Sequence, residues 1–215
     1  MTIQSAALRS VLVAVLLSVL PASPGEAQLT LRGGVNLTTF VGGDADDVES
    51  RRGLNLGAAI PLFHFGPIAI VPEIYYAQKG AEQSSATGLF NPFEVRLDYI
   101  EVPVLARLNL GGSTIRPYLQ AGPSFAWQLD CAVTLQSAGA GTDDCGESLN
   151  DELKDYDQGI VFGGGIDFGL AGIGALNLDA RFERGLARIA EDADLKNQAF
   201  TLMLGWQIGG GGMLR

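Results

Sequence analysis

Lysine is almost missing from this chain: Lys79, Lys154 and Lys196 are the only three in 215 residues, and His64 is the only histidine. A strand face washed by water carries many Lys and Glu, so the scarcity argues against an exposed, soluble β surface. Two cysteines, Cys131 and Cys145, with one distant histidine do not complete a zinc site. A net charge of −10 argues against nucleic acid, which selects basic surfaces. No run beyond residue 27 approaches the roughly 18 apolar residues of a membrane-spanning helix, because charges, glycines or prolines interrupt each one. With 47% hydrophobic residues, the chain is expected to be either a soluble globule or a barrel.

What is present begins at the N-terminus. Arg9 precedes the apolar run VLVAVLLSVL (11–20), and PASPGEA (21–27) puts small residues at Gly25 and Ala27. This is the pattern of a secretory signal peptide over residues 1–27, cleaved after Ala27. The run is too short for a bilayer core of about 30 Å. Residues 28–209 then suit one domain, with 210–215 (GGGMLR) as a flexible tail. In an exported protein, Cys131 and Cys145 most simply form one disulfide closing the polar loop between them.

The rest of the chain alternates apolar and polar residues with period two. The clearest stretch sets Ile100, Val102, Val104, Ala106 and Leu108 against Glu101, Pro103, Leu105 and Arg107. Eight such runs are predicted, over 29–40, 53–62, 68–79, 95–108, 115–129, 157–169, 176–185 and 197–209. Their connections alternate long and short, which matches outer-membrane barrels and not an immunoglobulin-like sandwich. The expected fold is all-β: an eight-stranded antiparallel up-and-down transmembrane β-barrel with short periplasmic turns and long outer loops.

A lipocalin-like barrel, oily inside, has the same period. The polar face decides for lipid outside. It carries Gly, Asn, Ser and Tyr with mixed charges at mid-strand, which fits the crowded lumen of an eight-stranded barrel. Glu73, Glu101, Arg107, Arg116, Asp167, Asp179, Arg181 and Glu183 are predicted to form a lumenal ion-pair network, since an unpaired charge there is costly. Trp127 and Trp206 fall toward opposite ends, as interfacial aromatics do. Arg96 and Asp98 share parity with Ile100, so their strand should leave the membrane before that point. Pro72, Pro103, Pro117 and Pro123 each remove a ladder donor, and bulges or kinks are expected there.

The segments PEIYYAQKG (72–80), DYIEVPVLARL (98–108), RPYLQAGPS (116–124), GGGID (163–167) and DARFERG (179–185) resemble, in order, the strand motifs of the PorT-type outer-membrane β-barrel family. The resemblance covers nearly the whole chain after residue 27. It implies an OmpA/OmpX-like eight-stranded barrel in the outer membrane of a Gram-negative-type bacterium, from a family whose name derives from a member tied to secretion. One departure is the ending GGGGMLR (209–215), where such barrels often finish on an aromatic.

No catalytic, metal or cofactor site is predicted. Lipid A deacylases share the architecture but need a His–Ser pair near the outer rim, and His64 falls in a periplasmic turn. Glu73 and Glu101 are better read as ion-paired than as an acid–base pair. The glycine runs at 163–165 and 209–212 lack the strand–GxGxxG–helix context of a nucleotide site. Asp44, Asp46 and Asp47 have oxygen-ligand spacing for calcium, with a solvated acidic loop as the plain account. The expected role is non-enzymatic, structural or accessory in the envelope, with a link to secretion implied by the resemblance. The alternatives are a narrow solute pore and a soluble periplasmic lipocalin-like ligand binder. The expected partners are outer-membrane lipid, the barrel-assembly machinery, and envelope or secretion proteins.

Overall fold

Alternating side chains need two different environments, and closing the sheet on itself supplies both. The computed structural model describes residues 28–43, 49–83, 93–135, 142–145, 154–170, 173–189 and 193–208. Residues 1–27, expected above to be a signal peptide, Asp44, Asp46 and Asp47, and residues 209–215 lie outside the described residues. Among the described residues ten strands form: β1 Leu29–Val41, β2 Glu49–Ala59, β3 Phe63–Phe65, β4 Ile68–Gln83, β5 Phe93–Asn109, β6 Ile115–Leu135, β7 Thr142–Asp144, β8 Tyr156–Leu170, β9 Gly174–Gly185 and β10 Lys196–Ile208. Every pairing is antiparallel, and β1 pairs with both β2 and β10. Because β2 also pairs with β4, the eight long strands close and leave no long edge. The short strands β3 and β7 attach to β4 and β6.

The barrel is inside-out relative to a soluble protein. On β10, Leu204 is 60% exposed, while Asp179 and Asn177 on β9 are fully buried inside. Phe162, Leu119, Leu178 and Leu202 stand outward with Leu204. Only lipid rewards that arrangement. The apolar face of β10 from Phe200 to Ile208 covers about 27 Å along the strand, comparable with the ~25 Å band of outer-membrane barrels. At its upper margin the outward residues turn polar. There Tyr76 Oη donates to Asp98 Oδ2 at 2.7 Å, Gln78 Nε2 donates to Tyr76 Oη at 3.1 Å, and Arg184 Nη1 donates to Gln198 Oε1 at 2.6 Å. Arg96 joins this collar 3.4 Å from Asp98.

Three expectations need correction. The strands run further than the periodicity indicates: β2 starts at Glu49, β4 continues to Gln83, and β6 continues to Leu135. The 63–67 turn contains β3, a hairpin closed by Gly66 and Pro67 with Gly66 at φ 62°. The prolines do not sit at bulges. Register is continuous through each, and pairing merely skips 73–74 against 102–103 and 104–105 against 122–123. The bulges lie elsewhere, between Ser50 and Asn55 and at Leu129. The extra residue at Leu129 flips the parity of β6, turning Cys131 inward.

Candidate functional site

The lumen is filled by polar side chains in two tiers. In the lower tier Glu73 on β4 accepts from Arg32 Nη1 on β1 and from Arg181 Nη1 on β9, both at 2.6 Å. Arg181 Nε reaches back to Asp179 Oδ1 at 2.8 Å. The other oxygen of Asp179 accepts from Tyr118 Oη at 2.5 Å and Gln120 Nε2 at 2.8 Å. Asn177 receives Arg32 Nε at 2.9 Å and donates to Asp167 Oδ1 at 2.7 Å. Asp167 pairs with Arg107, whose guanidinium lies 3.6 Å from the Tyr118 ring centroid. Each charge is therefore compensated by its neighbours, as a buried ion must be.

The upper tier is built on one cation. Lys79 Nζ lies 2.8 Å from Glu183 Oε2 and 2.9 Å from Glu101 Oε2, and Ser124 Oγ donates to Glu183 Oε1 at 2.9 Å. Glycines make the room. A Cβ on Gly165 would come 2.4 Å from Tyr118 Oη, and one on Gly163 would come 2.8 Å from Arg181 Cβ. The GGG run is thus the wall against which the large lumenal side chains lie.

The two ends differ. At the loop end, Leu97, Tyr99, Ala126, Ile189 and the Cys131–Cys145 disulfide form an apolar cluster, joined by Phe40 and Leu195. Ile189 comes from the β9–β10 connection and is held by backbone bonds to Leu195 and Lys154. At the turn end a cavity of about 270 Å³ opens, lined by residues that include His64, Arg107, Arg116 and Gln207. Among the described residues the loop end thus carries a buried apolar cluster and the turn end a cavity.

Of the eight charged residues singled out in the sequence, seven meet an opposite charge: Glu73 with Arg181, Asp179 with Arg181, Arg107 with Asp167, and Glu101 and Glu183 through Lys79. Arg116 does not. Its one side-chain bond among the described residues is a 3.5 Å contact with Gln207 Oε1. Sequence reasoning left out Arg32 and Lys79, the cations that Glu73, Glu101 and Glu183 depend on. Both sit at inward parity, which was the available signal. Trp127 meets Tyr156 in a tilted contact with centroids 5.7 Å apart, toward the loop end, and Trp206 lies near the turn end of β10. Cys131 and Cys145 are joined. No cluster of metal-ligating side chains occurs among the described residues.

The family described as "Outer membrane protein beta-barrel domain" matches residues 18–191. No curated protein matches the chain. Among solved structures, the outer membrane enzyme PagL is similar with a TM-score of 0.51 and 12% identity, covering 84% of this chain and 99% of that one. Neisserial surface protein A has a TM-score of 0.47 and 10% identity over 83% and 96% of the two chains. Ail, the attachment invasion locus protein of Yersinia pestis, has a TM-score of 0.44 and 11% identity over 85% and 99%.

Proposed function

This chain belongs to the outer membrane protein β-barrel domain family, and from that premise we propose a non-enzymatic structural or accessory role in the outer membrane, with the loop-end strand extensions held out for envelope partners. The observation that carries this reading is the filled lumen. Glu73 and Glu101, the carboxylates best placed for acid–base work, are each engaged by Arg or Lys. His64 lies at the turn end, away from the loop-end rim.

The ion-paired side chains that fill the lumen, with the buried Leu97–Tyr99–Ile189 cluster at the loop end, disfavour a pore. Display of the loop end is supported by β5 and β6, which pass the polar collar, and by the disulfide that fastens β6 to the segment following β7. A PorT-type placement within the family rests on the strand motifs at 72–80, 98–108 and 116–124, and with it a link to secretion. Delivery by the 1–27 signal peptide and insertion by the barrel-assembly machinery belong to the same reading.

Planar-bilayer recording of the refolded protein tests it. The expected result is a heat-modifiable gel band with no conductance steps. Steady unitary conductance would replace the accessory role with a pore. Co-purification of secretion components on a tagged chain would select the secretion-linked form.

A further inference from the structure

We propose that the turn-end cavity is a binding site for the phosphate group of a small soluble phosphomonoester. In outer-membrane barrels this end faces the periplasm. The cavity of about 270 Å³ is more than ten times the ~10–15 Å³ that one water needs on the same measure, enough for a phosphate with a short organic tail. It is open: a Cβ on Gly66 or Gly111, both in its lining, would meet nothing within 4 Å.

Three arginines line it, and they are not equivalent. Arg32 is committed to Glu73 and Arg107 to Asp167. Arg116 makes no salt bridge among the described residues: Asp167, opposite it in the β6–β8 ladder, turns its carboxylate to Arg107 and Asn177, and Arg116 keeps only the 3.5 Å contact with Gln207. Its fork of five donors is thus nearly unused at the cavity wall. With one lining carboxylate, Asp167, already neutralised by Arg107, the excess charge of the cavity is positive in a chain of net charge −10.

The surrounding donors favour phosphate over carboxylate. Arg116 on β6, His64 on β3 and Gln207 on β10, whose amide gives one hydrogen to Gln28 Oε1 and keeps its second, approach from separate parts of the wall. A tetrahedral oxyanion accepts from several directions, whereas a carboxylate is satisfied by one planar fork. The source is soluble, not lipid. β3 stands at the mouth with Phe63 and Phe65 exposed outward and His64, between them, lining the cavity. A headgroup would have to cross that hairpin.

The test is NMR titration of the whole refolded protein in phosphatidylcholine nanodiscs, with glycerol 3-phosphate as probe. Saturable millimolar shifts are expected at Arg116 and Gln207. Arg116→Gln should weaken binding about tenfold, with Arg116→Lys in between and Arg96→Gln in the outer collar unchanged. Heat-modifiable mobility checks that each variant is folded. Shifts that fail to saturate, an Arg116→Gln affinity equal to wild type, or equal binding of acetate would each overturn the proposal. So would phosphatidylglycerol nanodiscs that abolish the response to the soluble probe, since the bilayer would then be the source.

Discussion

Arg32 Nη1 lies 2.6 Å from Glu73 Oε1, joining β1 to β4 across the intervening β2. The second oxygen of Glu73 is held by Arg181 of β9. One carboxylate thus fastens separate parts of the wall through the lumen, at right angles to the ladder bonds that close it. Removing it leaves two buried guanidiniums without their shared counter-charge. Glu73→Gln should destabilise the barrel by about 3–5 kcal/mol. Urea titration in lipid vesicles, read by tryptophan fluorescence, should show the lower midpoint. An unchanged midpoint would mean that water reaches the tier freely.

Lys79 and Glu183 make the strongest case for non-additivity. Nζ lies 2.9 and 2.8 Å from the two oxygens of Glu183 and is shared with Glu101. Lys79→Met alone leaves two carboxylates facing each other, whereas Lys79→Met with Glu183→Met removes one offending charge as well. A double-mutant cycle should return a coupling of about 0.5–3 kcal/mol, the double variant costing less than the sum of the singles. Additive losses would show that the pair is not an energetic unit.

At the loop end, Asp194 couples two connections. Its Oδ2 accepts from the backbone N–H of Gly43 at 3.3 Å, and Lys196 stands 3.6 Å from Oδ1. The Gly43 bond, then Lys196, hold its carboxyl below the ordinary value of 3.8. A lowered folded value favours the ionised form in the fold. Its contribution is therefore full above the unfolded value and disappears as pH falls through the lowered one. Exchange protection of the Gly43 amide, corrected for intrinsic rate, should be flat near neutrality and collapse below pH 3.8. Asp194→Asn should remove that acid step. A step that persists in the variant would belong to another group.

How much of this could be read in the sequence depended on where parity holds. Between Phe200 and Ile208 every second residue meets lipid, and the alternation is unbroken. Above the collar both faces meet water or loop, so selection for alternation lapses and the outer parts of β4, β5 and β6 look like loop. The Leu129 bulge shifts Cys131 to inward parity, which no periodic reading anticipates. Charged lumenal residues were legible as a class because they share the face of Asn and Gly. Their partners were not, because pairing runs between strands far apart in sequence: Arg32 with Glu73, and Lys79 with Glu183. Arg116 shows the same limit from the other side. Its parity predicts the lumen correctly, but its ladder neighbour Asp167 is taken by Arg107, and among the described residues Arg116 makes no salt bridge.

The lipid-facing direction has its own test in Leu204. It is the middle of the five outward residues from Phe200 to Ile208 on β10 and is 60% exposed. In a bilayer that position is near the midplane of the apolar band, where an arginine must either snorkel or thin the lipid. Leu204→Arg should cost about 2–4 kcal/mol in vesicles. The same change at Ile208, near the turn-end interface, should cost about 0–1 kcal/mol. The depth dependence is the discriminating quantity: in an aqueous barrel both sites would face water and cost little. Refolding yields and urea midpoints of the two variants, compared in the same vesicles, supply it, and equal values at the two heights would remove lipid from the outer face.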